Sequence, residues 1–152
     1  MTLVPADQPI QTTASLTTEA GVHEFTQLAE LSEALAGYLA AWSTDGADPA
    51  SAGMMASLAA RLAEHAGWWR DRIPESVLLD DARTEASGSP RLVEVLARLN
   101  VDPADRSVAI VPILDGLMAH LAGLAGRLSP VGDAPARRVV RLVLADLEDR
   151  PR

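Results

Sequence analysis

Apolar residues recur along this chain at steps of three and four, the period of one helix face, in four long stretches. The most informative stretch runs from Pro49 to Ile73. Asp48-Pro49 is a start signal, because an aspartate side chain caps free N–H groups and proline suits the first helical position. Pro74 ends it by pushing Ile73 out of helical geometry. Met55, Leu58, Leu62, His65 and Trp69 form the inward stripe, with Arg61, Glu64, Asp71 and Arg72 beside or opposite it. His65 therefore stands in line with the core residues, either as a core histidine bonded to a neighbour or as part of a bundle-centre site.

Before this stretch the pattern predicts a helix from about Thr18 to Ser43, capped by Thr17. Its stripe is Glu24, Leu28, Leu31, Leu35, Tyr38 and Trp42, widened by Phe25 and Leu39, while Glu30 and Glu33 point to solvent. Asp45-Gly46 stops it, and the short connection makes the first two helices antiparallel. Residues 74–106 break the pattern and read as a long polar crossover. It is anchored by Val77-Leu78-Leu79 and holds one minor helix, about Arg91 to Leu99. A third long helix, about Ser107 to Leu128, carries Ile110, Leu114, Leu117, Leu121, Leu124 and Leu128 inward, with Pro112 early in it. Gly116, His120 and Gly123 lie on an adjacent line where another helix can come close, so a homodimer fits. The last helix spans Ala134 to about Asp149, with Asp133 as its cap and Ala136, Val140, Val143 and Leu147 inward. Its arginines (Arg137, Arg138, Arg141) lie at the start and its acids (Asp146, Glu148, Asp149) at the end, against the dipole preference. Such a local conflict can mark a site or an interface. Residues 1–16 have no periodicity and read as a mobile arm ahead of a single domain, 17–152.

Composition narrows the fold and the partners. The 152 residues suffice for one full core. Apolar content is 48% but aromatic content only 3%, so Leu, Val and Ala must build that core, which favours close-packed helices. A net charge of −8 argues against nucleic acid and anionic membranes, which need a basic footprint. The third long helix is apolar enough for a membrane span, but Asp115 and His120 within it favour a buried helix. The absence of cysteine excludes thiolate chemistry and disulfides. The N-terminus lacks a basic region followed by an apolar core, so a cytoplasmic protein is expected.

Two antiparallel helices, a long crossover and two more helices make an order that resembles the ferritin-like superfamily over about residues 18–149. The resemblance implies an all-α, ferritin-like four-helix bundle whose second and third long helices run parallel. Di-iron members use a Glu from each of two helices and Glu-x-x-His from the other two. Here no Glu-x-x-His occurs: Glu64 is followed three residues on by Gly67, and Asp146 by Asp149. Ala119-His120-Leu121-Ala122-Gly123 is also similar to a stretch of the DinB-like metal-binding bundles, though their paired His-x-x-x-His is missing.

Parallel second and third helices would bring His65 and His120 to similar height, since each lies about 20–24 Å from its helix start at ~1.5 Å per residue. Glu24, with Arg138 or Arg141, falls near the same level. A His65–His120–Glu24 cluster could bind a single metal ion, act as an acid/base site or form a buried polar network. Trp69, Tyr38, Trp42 and Arg141 are the candidate ligand-binding residues. The expectation is a non-catalytic bundle that binds a small apolar molecule or a partner protein, with no cofactor. The alternative is an enzyme acting on a small organic substrate through the histidine–glutamate cluster.

Overall fold

Helix α1 (Thr18–Thr44) starts where the Thr17 hydroxyl accepts from the Ala20 N–H at 3.1 Å, the cap expected of a threonine in extended backbone. The computed structural model describes residues 15–150, so the arm expected at 1–16 lies outside them apart from Ser15 and Leu16. Leu16 N–H donates to the Arg127 carbonyl at 3.1 Å and its side chain packs on the core. Asp45 and Gly46 end α1, Gly46 in the left-handed region at φ 74°.

Helix α2 (Ala52–Arg70) begins three residues later than Asp48-Pro49 suggests. The Asp48 carboxylate does accept from Ser51 N–H at 3.3 Å, but it stabilises a turn that precedes the helix. Helix α1 and α2 pack as an antiparallel pair, with Phe25 stacked on Trp69 at 6.1 Å between ring centroids. The buried face of α1 centres on Phe25, Leu28, Leu35, Leu39 and Trp42; Tyr38, placed inward by the sequence pattern, is 36% exposed.

The crossover departs most from expectation. Val77 and Leu78 do not anchor it: they are 81% and 92% exposed. A short helix, α3 (Asp80–Ala86), follows a 3-10 turn and docks on α1 through the buried Ala82 and Ala86. Arg83 folds back onto the carbonyls of Pro74 and Ser76 and onto Asp80. Glu30, expected on a solvated face, accepts from Ser87 Oγ at 2.5 Å and Gly88 N–H at 3.0 Å, pinning the next turn to α1. Gly88 sits there at φ 63°, where a side chain would be strained. Helix α4 (Pro90–Ala97) then starts from a Ser89 cap, with Pro90 in its first turn.

Helix α5 (Arg106–Ala125) runs through Pro112, whose ring lies on the exposed side. Its inward leucines and isoleucines pack as expected, and Asp115 faces outward to Arg150. Residues Pro103–Ala125, with mean hydropathy 1.8, are long and apolar enough to cross a membrane; a third of that stretch is buried in the fold. Helix α6 (Ala134–Glu148) completes the set. Asp133 does not cap it through its side chain; the carboxylate accepts from Ser129 N–H at 2.7 Å and tightens the preceding turn.

Side-chain contacts give the helix directions. Arg106, at the start of α5, pairs with Asp45 at the end of α1, and His120 near the end of α5 pairs with Glu24 near the start of α1. Helix α5 is therefore antiparallel to α1 and parallel to α2. Asp146 of α6 meets His65 of α2, and Ala136 lies beside Phe25 and Arg72, so α6 runs parallel to α1. Leu35, Leu62, Trp69, Leu121 and Val143, contributed by all four long helices, are fully buried at the shared centre. Every regular element among the described residues is helical, and the fold is all-α.

Candidate functional site

The two histidines on the long helices go to different partners. His65 is fully buried, and its Nε2 lies 2.8 Å from Asp146 Oδ2, so the imidazole donates to the carboxylate from that nitrogen. Its Nδ1 has no hydrogen-bond partner among the described residues, and Trp68 leans on the ring at 5.2 Å. Arg61 donates to the Asp146 carbonyl at 3.1 Å and lies 3.7 Å from Asp149. The acidic end of α6, which opposes its own dipole, is thus matched by His65 and Arg61 across the α2–α6 contact.

His120 Nε2 lies 2.8 Å from Glu24 Oε2. The Glu24 carboxyl is held below its ordinary value, chiefly by this hydrogen bond; burial opposes the effect, and the charges of His120, Arg127 and Arg91 reinforce it. Glu24 is one-fifth exposed, and Arg127 stands 4.0 Å from its other oxygen. Glu24 and His120 are therefore brought together as the stripe arithmetic anticipated, while His65 is withdrawn to α6. The three do not assemble into one cluster. Among the described residues no three His, Asp or Glu side chains converge as a metal-binding group.

A half-open cavity of about 220 Å³ lies against the Glu24–His120 pair, between α1, α4 and α5. Leu28, Leu31, Leu92, Val95, Ile113 and Leu117 make its apolar lining, and Arg91 and Glu94 of α4, with Arg98 just past its end, stand around it. Gly116 also lines it, and a Cβ built there would meet open space. Such a cavity is smaller than the ~300–1,000 Å³ of pockets for drug-sized ligands, so its occupant must be small.

The aromatic candidates lie elsewhere. Trp69 is fully buried against Phe25, and Trp42 is covered by the Arg106 guanidinium at 5.1 Å, with Tyr38 edge-on at 6.1 Å. Arg141 is exposed on α6. None of these four lines the cavity. Sequence reasoning missed Arg91 and Arg98. The usable signal was their seven-residue spacing on a short amphipathic helix, which puts both on one face two turns apart.

Comparison with protein-family models, with curated proteins and with solved structures returns no match to this chain.

Proposed function

We propose that the protein is a non-catalytic helical bundle that holds a small molecule with an apolar body in the cavity between α1, α4 and α5. The observation that carries this reading is the cavity itself: a leucine-rich floor walled on one side by a hydrogen-bonded Glu24–His120 pair. An apolar hollow with a few convergent polar groups is the ordinary design of a small-molecule site. The ferritin-like comparison belongs to the same proposal. It is supported by the parallel course of α2 and α5 across a long crossover and by the antiparallel pairs that flank it. The di-iron ligand set is not carried with it, because His65 and His120 face different helices.

One feature favours the enzymatic alternative. His120 is 37% exposed, borders the cavity and is oriented by a carboxylate, the arrangement of a general acid/base. Glu24, held ionised, would be the positioning partner and the imidazole the proton-carrying group. The exposed Val108 and Val111 on the outer side of α5 keep a homodimer within the proposal; sedimentation velocity of the full chain tests it.

The binding reading is tested with 1-octanol as a neutral apolar probe, followed by amide chemical shifts of the full chain. Saturable shifts confined to residues around the cavity are expected, and they should vanish in Gly116→Phe, which grows a side chain into the hollow. Circular dichroism confirms that the variant is folded. Absence of saturable shifts, or their persistence in Gly116→Phe, would overturn the reading.

A further inference from the structure

We infer that the occupant of this cavity is a small monoanion, a carboxylate on an apolar body, recognised by Arg91 and Arg98; this rests on the binding reading above. The argument is one of charge. The chain carries a net −8, yet one guanidinium on the cavity rim, that of Arg91, has no carboxylate partner among the described residues. The cavity lining carries two carboxylates, Glu24 and Glu94, and two guanidiniums, Arg91 and Arg98; Arg127, outside the lining, stands 4.0 Å from Glu24, so one guanidinium on the cavity is left without a carboxylate.

The carboxylates are also already engaged. Glu24 accepts from His120 and has Arg127 at 4.0 Å, and Glu94 lies 3.6 Å from Arg98. Arg91 takes part in no ion pair among the described residues, although it lines the cavity and its charge reaches Glu24. A guanidinium offers a fork of N–H donors that suits two carboxylate oxygens at once. The first turn of α4, with Ser89, Arg91 and Leu92 on the cavity, adds the positive end of a helix dipole to the same rim. A protonated amine would find no free carboxylate, because Glu24 and Glu94 are both already engaged by their own partners. The ligand's body is apolar because the floor is, and its size is bounded by the cavity volume.

The experiment compares octanoate, 1-octanol and octylammonium, three probes with the same tail, binding to the full chain and to Arg91→Gln. Arg91 is exposed and unpaired, so its replacement leaves the fold intact. Octanoate is expected to bind the wild-type chain about tenfold more tightly than 1-octanol, the scale of a charged hydrogen bond partly screened at a cavity mouth. That preference should shrink as salt is raised and be largely lost in Arg91→Gln, while 1-octanol binds both chains alike. Equal binding of octanoate and 1-octanol would overturn the ligand class and leave the cavity reading standing. Preference for octylammonium, or an octanoate preference that survives in Arg91→Gln, would also overturn it. If no probe binds, the cavity reading fails and this inference falls with it.

Discussion

Asp146→Ala should be costly out of proportion to the exposure of Asp146, because of what it leaves behind. The carboxylate is about one-third exposed, but its partner, His65, is completely buried with Nδ1 already unpartnered. Removing the carboxylate orphans the buried Nε2–H, at about 1–3 kcal/mol for a desolvated polar group without a partner. Two gains offset this. Alanine is a better helix former than aspartate by up to roughly 0.7 kcal/mol. A negative charge leaves the last turn of α6, where the dipole disfavours it by about 0.3–1 kcal/mol. Glu148→Ala removes the same charge from the same turn without breaking any contact, since Glu148 is exposed and unpaired, and its propensity gain is smaller because glutamate is already a good helix former. The two variants should differ by about 2 kcal/mol in urea unfolding, or roughly 4–8 °C in Tm for a chain of this length. Tryptophan fluorescence follows the unfolding, and Trp68, one of three tryptophans, has its ring 5.2 Å from the imidazole. His65→Leu in the Asp146→Ala background removes the orphaned donor together with its demand. The double-mutant cycle should show a coupling of at least about 1 kcal/mol. A coupling near zero, or Asp146→Ala as stable as Glu148→Ala, would refute the reasoning and mean that the pair contributes nothing to the fold.

Three other outcomes follow from the same structure. Gly67→Ala and Gly123→Ala, at helix positions where a Cβ meets open space, should each stabilise by about 0.4–1 kcal/mol, whereas Gly46→Ala, at φ 74°, should destabilise; thermal unfolding decides both. Glu24→Gln should flatten the acid limb of the stability curve. The Glu24 carboxyl lies below its unfolded value of 4.5, so its contribution is complete above that pH and is lost as pH falls through the lower folded value. The wild-type advantage over Glu24→Gln, measured by urea unfolding across pH, should be full near neutrality and fade only in acid. Leu78→Ser, at a side chain 92% exposed, should change unfolding free energy by no more than about 0.5 kcal/mol.

The long helices were legible because their stripes are long. Leu28, Leu35 and Leu39, or Ile110, Leu114, Leu117 and Leu121, repeat over enough turns that no other period fits. Of the crossover, α4 was legible as the minor helix near Arg91 to Leu99, but the α3 half was not, and the reason is physical. Helix α3 has seven residues and buries only Ala82 and Ala86, too little apolar surface to make a pattern, while three adjacent apolar residues, Val77 to Leu79, look like an anchor and are mostly in solvent. Beyond that small apolar contact, the segment is fixed by polar groups that make no periodic pattern: Glu30, distant in sequence, accepts from Ser87 and Gly88, and Arg83 folds back locally onto the carbonyls of Pro74 and Ser76. The same limit applies to the site. The spacing on α1 and α5 brought Glu24 and His120 to one level. It could not say that His65 would turn to α6, because rotation about a helix axis is set by packing partners that a single stripe does not name. The inverted charge order of α6 was the one local trace of that partner, since Asp146 and Asp149 are unfavourable on their own helix and favourable only against His65 and Arg61. A residue that violates the preference of its own element thus points across the interface to whatever compensates it, and here that pointer identifies the α2–α6 contact more directly than any apolar pattern does.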